Sequence, residues 1–199
     1  MKNIYIISTL VVLIGIASGI SYFLIRDSSA TIPKDITLVT MNEKDYTFGE
    51  ETETIKLVEF IYTNCPDICP TTTQEMNLLR DNLLKEGVYG DQVKFVTLTI
   101  DPYRDTPEVL RNYMDNFGLE NDGNWIFLTG DPADIIEEQK KIKQVADTFQ
   151  FQYRDPGNGF YVHSAFTYLI DENNQFIKKF PMGEEFNKEE VFKAILKEL

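Results

Sequence analysis

Hydrophobic and polar positions along this chain fall into blocks whose period changes. From Ile4 to Ile25 no residue is charged, a run long enough to cross a hydrocarbon core of about 30 Å as a helix. Ile36 to Phe48 then predicts a small hairpin turning at Asn42-Glu43-Lys44-Asp45. The β-prone run from Lys56 predicts a strand ending near Tyr62. After Cys69, Pro70 and Thr71-Thr72-Thr73-Gln74-Glu75 combine an early proline with capping-box spacing. Met76, Leu79 and Leu83 give that helix its apolar face and Gly87 ends it. Val93 to Ile100 alternates and is rich in β-branched residues, predicting a second strand stopped by Asp101-Pro102. Thr106-Pro107 opens a helix running to about Phe117, and Trp125 to Leu128 reads as a third strand. Asp131-Pro132 opens another helix with Ile135, Ile142, Val145 and Phe149 on one face. Phe166–Ile170 and Gln175–Phe180 flank a turn at Asp171-Glu172-Asn173-Asn174, and a helix over Asn187–Leu199 closes the chain.

The order is a hairpin, then βαβαβα, then ββ and a last helix. Strand–helix crossovers first and an antiparallel hairpin last imply an α/β domain, a mixed sheet with helices on both faces. This is the thioredoxin-like arrangement, preceded here by one N-terminal transmembrane helix. Residues 1–26 read as the membrane anchor, 27–35 as a linker and 36–199 as the domain. Lys2 precedes the apolar run, while Arg26 after it is offset by Asp27, so the positive-inside bias places the domain on the extracytoplasmic side as a single-pass cell-membrane protein. Tyr5, Tyr22 and Phe23 lie near the ends of the run, as interfacial aromatics do. The rival reading is a cleaved signal peptide, cut after Ala17-Ser18-Gly19 or Ser28-Ser29-Ala30. The run stays apolar past the first of these, which favours the uncleaved anchor.

Composition adds little to the fold and more to the partners. A hydrophobic share of 43% with 14 Phe and 10 Tyr predicts a packed core. The formal charge of −13 disfavours nucleic acid and anionic headgroups, and a solvated acidic face accounts for it.

The chemistry-bearing residues are few. Cys65 and Cys69 are the only cysteines, His163 the only histidine. The cysteines sit on a strand-to-helix turn, where unpaired amides and the helix dipole favour thiolate. Three intervening residues set the sulfurs about one helical turn apart. A structural disulfide here would close a very short loop and constrain the unfolded chain little, so the pair reads as chemical. The loop Asp155-Pro156-Gly157-Asn158-Gly159 leads to His163 at the sheet edge where the cysteine turn also lies. Two thiolates and an imidazole form a set suited to copper, and less to zinc without a fourth ligand.

Tyr62-Thr63-Asn64-Cys65-Pro66-Asp67-Ile68-Cys69-Pro70-Thr71-Thr72 resembles the copper motif of the SCO/SenC family, copper-binding assembly factors of cytochrome c oxidase. Thr99 to Leu110, Trp125 to Gly130 and Val162 to Asp171 match further blocks in order, so the resemblance covers roughly residues 55–199. It departs after Asp171, where Glu172-Asn173-Asn174 replaces a glycine-containing turn, and before the first strand, where an Asp-Gly-Lys pattern is missing. The resemblance implies a thioredoxin fold outside an energy-coupling membrane, and one copper ion, Cu(I) or Cu(II), held by Cys65, Cys69 and His163. It implies that Asp101 assists from behind, although a strand-ending Asp-Pro turn explains Asp101 equally well. The implied task is maturing the dinuclear copper site of oxidase subunit II, or serving another copper protein, as a monomer. Three activities compete: copper carrier, thiol–disulfide oxidoreductase keeping the oxidase cysteines reduced through Cys65 and Cys69, and, last, a peroxidatic redox sensor.

Overall fold

The computed structural model describes residues 2–28, 30–50 and 53–199. A long helix α1 (Lys2–Ser28) precedes the domain. Within it Ile4–Tyr22 has a mean hydropathy of 2.2 and none of it is buried, making it a candidate membrane span. The side chains of Lys2, Phe23 and Arg26, and all of Ser29, lie outside the described residues.

The domain follows as β1 (Thr37–Thr40), β2 (Asp45–Thr47), β3 (Ile55–Ile61), α2 (Ile68–Glu86), β4 (Val93–Thr99), α3 (Pro107–Asn116), β5 (Trp125–Thr129), α4 (Ile135–Thr148), β6 (Tyr153–Arg154), β7 (Val162–His163), β8 (Phe166–Ile170), β9 (Phe176–Pro181) and α5 (Lys188–Glu198). Seven strands form one mixed sheet in the order β2-β1-β5-β4-β3-β8-β9. β3, β4 and β5 are parallel, in the register Leu57↔Phe95↔Trp125, and β8 and β1 close the two sides antiparallel. Every residue of β3 is buried, as a central strand with both faces covered requires. Residues 30–36, read above mostly as linker, run against the β8–β9 hairpin: Thr31 bridges Gln175, the Ile32 amide donates to the Asn174 carbonyl (3.1 Å), and Ile32 is fully buried.

Two features depart from the sequence reading. α2 begins at Ile68, so Cys69 lies inside its first turn and the expected capping box at Thr71 is not the start. The hydroxyls of Thr71 and Thr72 instead donate back to the carbonyls of Asp67 and Ile68. The helix does end at Gly87, left-handed at φ +72°, the conformation that glycine adopts without strain. The second departure is β6–β7, a separate two-stranded ribbon pairing Tyr153 with His163 and Arg154 with Val162.

Candidate metal centre

Topology brings the candidate residues to one edge. β3 and β4 run parallel and end side by side, delivering the Tyr62–Cys65 turn and Asp101. β8 runs antiparallel to β3 with Val58 opposite Tyr168, so the residues just before β8 lie beside those just after β3. Ligand sites of open α/β sheets lie at such carboxyl ends.

The cysteine turn is anchored from below. The Thr63 amide (3.0 Å) and hydroxyl (2.5 Å) and the Thr99 hydroxyl (2.5 Å) all donate to the buried carboxylate of Asp105. The Cys65 amide donates to the Tyr62 carbonyl (3.0 Å), closing the turn. Cys65 keeps 9% of its surface and Cys69 none. Asp67, at the helix N-cap, makes no side-chain cap. The Cys69 amide donates instead to the Cys65 sulfur at 3.5 Å, so a sulfur serves where a capping oxygen usually would.

His163 approaches from β7. Its Nδ1 lies 2.7 Å from the Ser164 carbonyl. A carbonyl only accepts, so Nδ1 carries the proton and a neutral ring keeps its lone pair on Nε2. The ring lies parallel to Phe151 (centroids 5.8 Å, 22° between planes) and edge-on to Tyr62 (5.8 Å). One donor atom each from Cys65, Cys69 and His163 falls within 4.8 Å of the others. The structure thus brings together all three residues singled out as ligands.

The two thiols are unlike. Cys65 is held well below the usual thiol range: the Cys69 thiol donates to it, and the hydrogen bond from His163 and the amides of Asp67 and Cys69 add to this against the cost of burial. Cys69 is pushed up, first by the hydrogen bond it gives to Cys65, then by burial. For His163 burial is the largest influence and opposes charge. Hydrogen bonds to Cys65 and Ser164 outweigh it and raise the ring above its ordinary value. These directions favour a Cys65 thiolate that accepts from the Cys69 thiol and from an Nε2–H of a cationic His163; a soft cation taking all three donors would displace the Cys69 proton and that Nε2 proton.

Asp101, 2% exposed, lies outside the group of three donor atoms. It accepts from Arg104 Nε, and the Tyr161 hydroxyl donates to it at 3.5 Å. Asp67 is exposed. Sequence reasoning missed the aromatic wall of Tyr62, Phe151 and Tyr161. Tyr62 and Phe151 are buried and Tyr161 half-buried, and aromatics spaced this far apart carry no shared signal until the fold joins them.

The fold and site together define a thioredoxin-like domain with a candidate Cys₂His metal site. The comparisons narrow this. The family model described as SCO1/SenC matches residues 26–199. An SCO2-like protein from Rickettsia felis is 34% identical over 162 residues, covering 78% of this chain and 72% of that protein. Among solved structures, an SCO1/SenC family lipoprotein from Bacillus anthracis superposes with TM-score 0.73 at 26% identity, over 85% of this chain and 95% of that one. Bradyrhizobium japonicum ScoI, solved with copper bound, gives TM-score 0.63 at 28% identity, over 82% and 96%. The chain belongs to the SCO1/SenC family.

Proposed function

We propose that this protein is a copper-binding assembly factor, held at the outer face of the cell membrane by α1. It captures one copper ion between Cys65, Cys69 and His163 and passes it to the dinuclear copper site of cytochrome c oxidase subunit II. The observation that carries this reading is the convergence of three donor atoms within 4.8 Å, two soft sulfurs and one borderline nitrogen, a set that selects copper over harder ions. The Bradyrhizobium relative bound to copper supports it.

Capture begins at the Cys65 thiolate, which is already free of its proton. Cys69 then releases its own, His163 gives up the Nε2 proton it shares with Cys65, and the freed Nε2 lone pair completes the set. A dithiol oxidised to a disulfide has no thiolate to offer, so the loaded and oxidised forms exclude each other. Copper titrated into the reduced protein should bind at one tight equivalent with sulfur-to-copper absorption. His163→Ala should weaken binding by at least tenfold, the loss expected when one of three ligands is removed. No binding, or unchanged affinity in the variant, would sink the reading.

The inequality of the thiols favours a second reading, a thiol–disulfide oxidoreductase. The Cys65 thiolate would attack a partner disulfide to form a mixed disulfide, and Cys69 would then displace the partner thiolate. The partner gains the two electrons and the Cys65–Cys69 pair is oxidised. Deleting the gene and assaying the oxidase separates the two. Rescue by excess copper supports delivery, and rescue only by an external reductant supports thiol exchange.

A further inference from the structure

The three donor residues are not held alike. Cys65 lies on the turn between β3 and α2, and Cys69 lies in the first turn of α2. His163 lies on β7, whose one strand partner among the described residues is β6. The connection between the two ribbon strands is exposed from Asp155 to Asn158 and again at Phe160. The histidine therefore rides on an arm, and what fixes the arm fixes the third ligand.

Besides the aromatic wall, Gln139 Nε2 holds the Tyr153 hydroxyl of β6 at 3.1 Å and Lys143 lies over the same ring, but the connection that leads into His163 is tied chiefly by Arg104 and Asn64. Arg104, in the β4–α3 connection, donates through Nε to Asp101 Oδ2, and its guanidinium carbon lies 5.7 Å from the centre of the Tyr161 ring. The Tyr161 hydroxyl meets the other oxygen of the same carboxylate at 3.5 Å. Gly159 packs so near that a Cβ there would come 3.0 Å from Arg104 Nη1, and its φ of +84° is one that side chains rarely adopt. The Gly159 carbonyl accepts from Asn64 Nδ2 at 3.2 Å, next to Cys65. Asp155 on the same connection adds attraction for the Arg104 cation. Asp101 thus fixes one edge of the guanidinium while its face lies over the Tyr161 ring and Nη1 lies close to Gly159. A planar fork suits this double duty and a lysine does not. The Arg104 side chain remains 41% exposed, within reach of another molecule.

We propose that Arg104 is a positioning residue, a clasp that keeps His163 seated over the two sulfurs and so sets how fast copper leaves. The proposal rests on the copper reading above and deepens it. With the clasp closed the ion keeps three ligands. When a partner engages Arg104 the arm lifts, the imidazole departs, and a two-sulfur site is left open to an incoming ligand.

The test uses the full-length reduced protein in detergent micelles, loaded with one copper(I) and challenged with bathocuproine disulfonate. Arg104→Ala should release copper about tenfold faster, the size that losing one charge-assisted hydrogen bond implies. Arg104→Lys should lie between it and the wild type. In a His163→Ala background, Arg104→Ala should change the rate less than about twofold, because residues acting through one another are not additive. Equal acceleration in both backgrounds would overturn the proposal and leave a general electrostatic effect. A second readout needs no copper. His163 is the only histidine, so one set of imidazole proton resonances reports its seat between Phe151 and Tyr62. In metal-free Arg104→Ala those resonances should move toward unstructured values. If they stay in place the clasp is refuted. Failure of the wild type to bind copper would instead refute the reading beneath it, and the imidazole signals would still decide whether Arg104 holds the arm.

Discussion

Glu59 is the least expected carboxyl in this domain, and it makes a quantitative prediction. It sits in the middle of β3, fully buried. Oε1 accepts from the Thr97 hydroxyl (2.6 Å) and the Thr73 hydroxyl (3.4 Å), while Oε2 has no hydrogen-bond partner among the described residues. The Trp125 indole N–H donates to the Thr97 oxygen at 2.8 Å, and Thr73 shares a 3.0 Å hydrogen bond with the Tyr113 hydroxyl. Burial raises the Glu59 pKa from 4.5 to about 7 against the pull of the two threonines. A raised carboxyl in the folded state means that the native protein holds a proton the unfolded chain gives up. The associated stability is therefore complete below about pH 4.5 and is lost as pH rises to about 7. At about 1.4 kcal/mol per pH unit, that interval corresponds to roughly 3 kcal/mol. Glu59→Gln keeps the acceptor for Thr97 and Thr73 and cannot ionise. The variant should cost about 1 kcal/mol at pH 4.5, where an amide replaces a neutral acid, and should gain about 3 kcal/mol on the wild type by pH 8. Urea denaturation of residues 30–199 at several pH values measures this, and the difference between the two proteins cancels groups that titrate in both. Parallel stability profiles from pH 4.5 to 8 would refute the reasoning.

Two other predictions concern the cysteine turn. The downward shift of Cys65 and the upward shift of Cys69 predict that iodoacetamide at pH 5 labels Cys65 alone, with Cys69 reacting only after denaturation. Mass spectrometry of the digested protein reads this directly, and equal labelling at the two sites would contradict it. Gly183 has φ +69°, and a Cβ there would sit 2.8 Å from Cγ1 of Ile68, the residue before Cys69. Gly183→Ala should lower stability by about 1–3 kcal/mol, seen as a fall of several degrees in Tm. An unchanged Tm would show that the Ile68 side chain yields at no cost.

The strands and most helix ends were legible because each is written in a few neighbouring residues: alternation in Val93–Thr99, Thr106-Pro107 before α3, Gly87 after α2. The start of α2 was not. Its first-turn amide is satisfied by the Cys65 sulfur, and no side-chain rule built on Ser, Thr, Asp and Asn anticipates a cysteine sulfur in that place. Glu59 was illegible for a related reason. A charge in a strand reads as the solvent side, yet Thr97 of β4, Thr73 of α2 and Tyr113 of α3 supply the hydroxyls that let β3 bury it. β6 and β7 are two residues each and show no period at all.

The metal centre divides along the same line. Cys65 and Cys69 are four residues apart, so their meeting follows from local geometry and could be read from one turn of helix. His163 is almost a hundred residues away. Its arrival depends on the antiparallel register of β8 against β3, on the ring of Phe151 behind it and on a ribbon tied down by Arg104 and Asn64. None of these has a sequence signature alone. The distinction is also functional. A dithiol fixed by local geometry is present whatever the arm does, and by itself it can exchange disulfides. The third donor, which on the proposed reading makes the pair a copper site, depends on non-local contacts of modest strength, with exposed loop residues on either side of Gly159. Substitutions in the cysteine turn should therefore abolish both chemistries together, whereas substitutions in the arm should separate copper retention from thiol exchange.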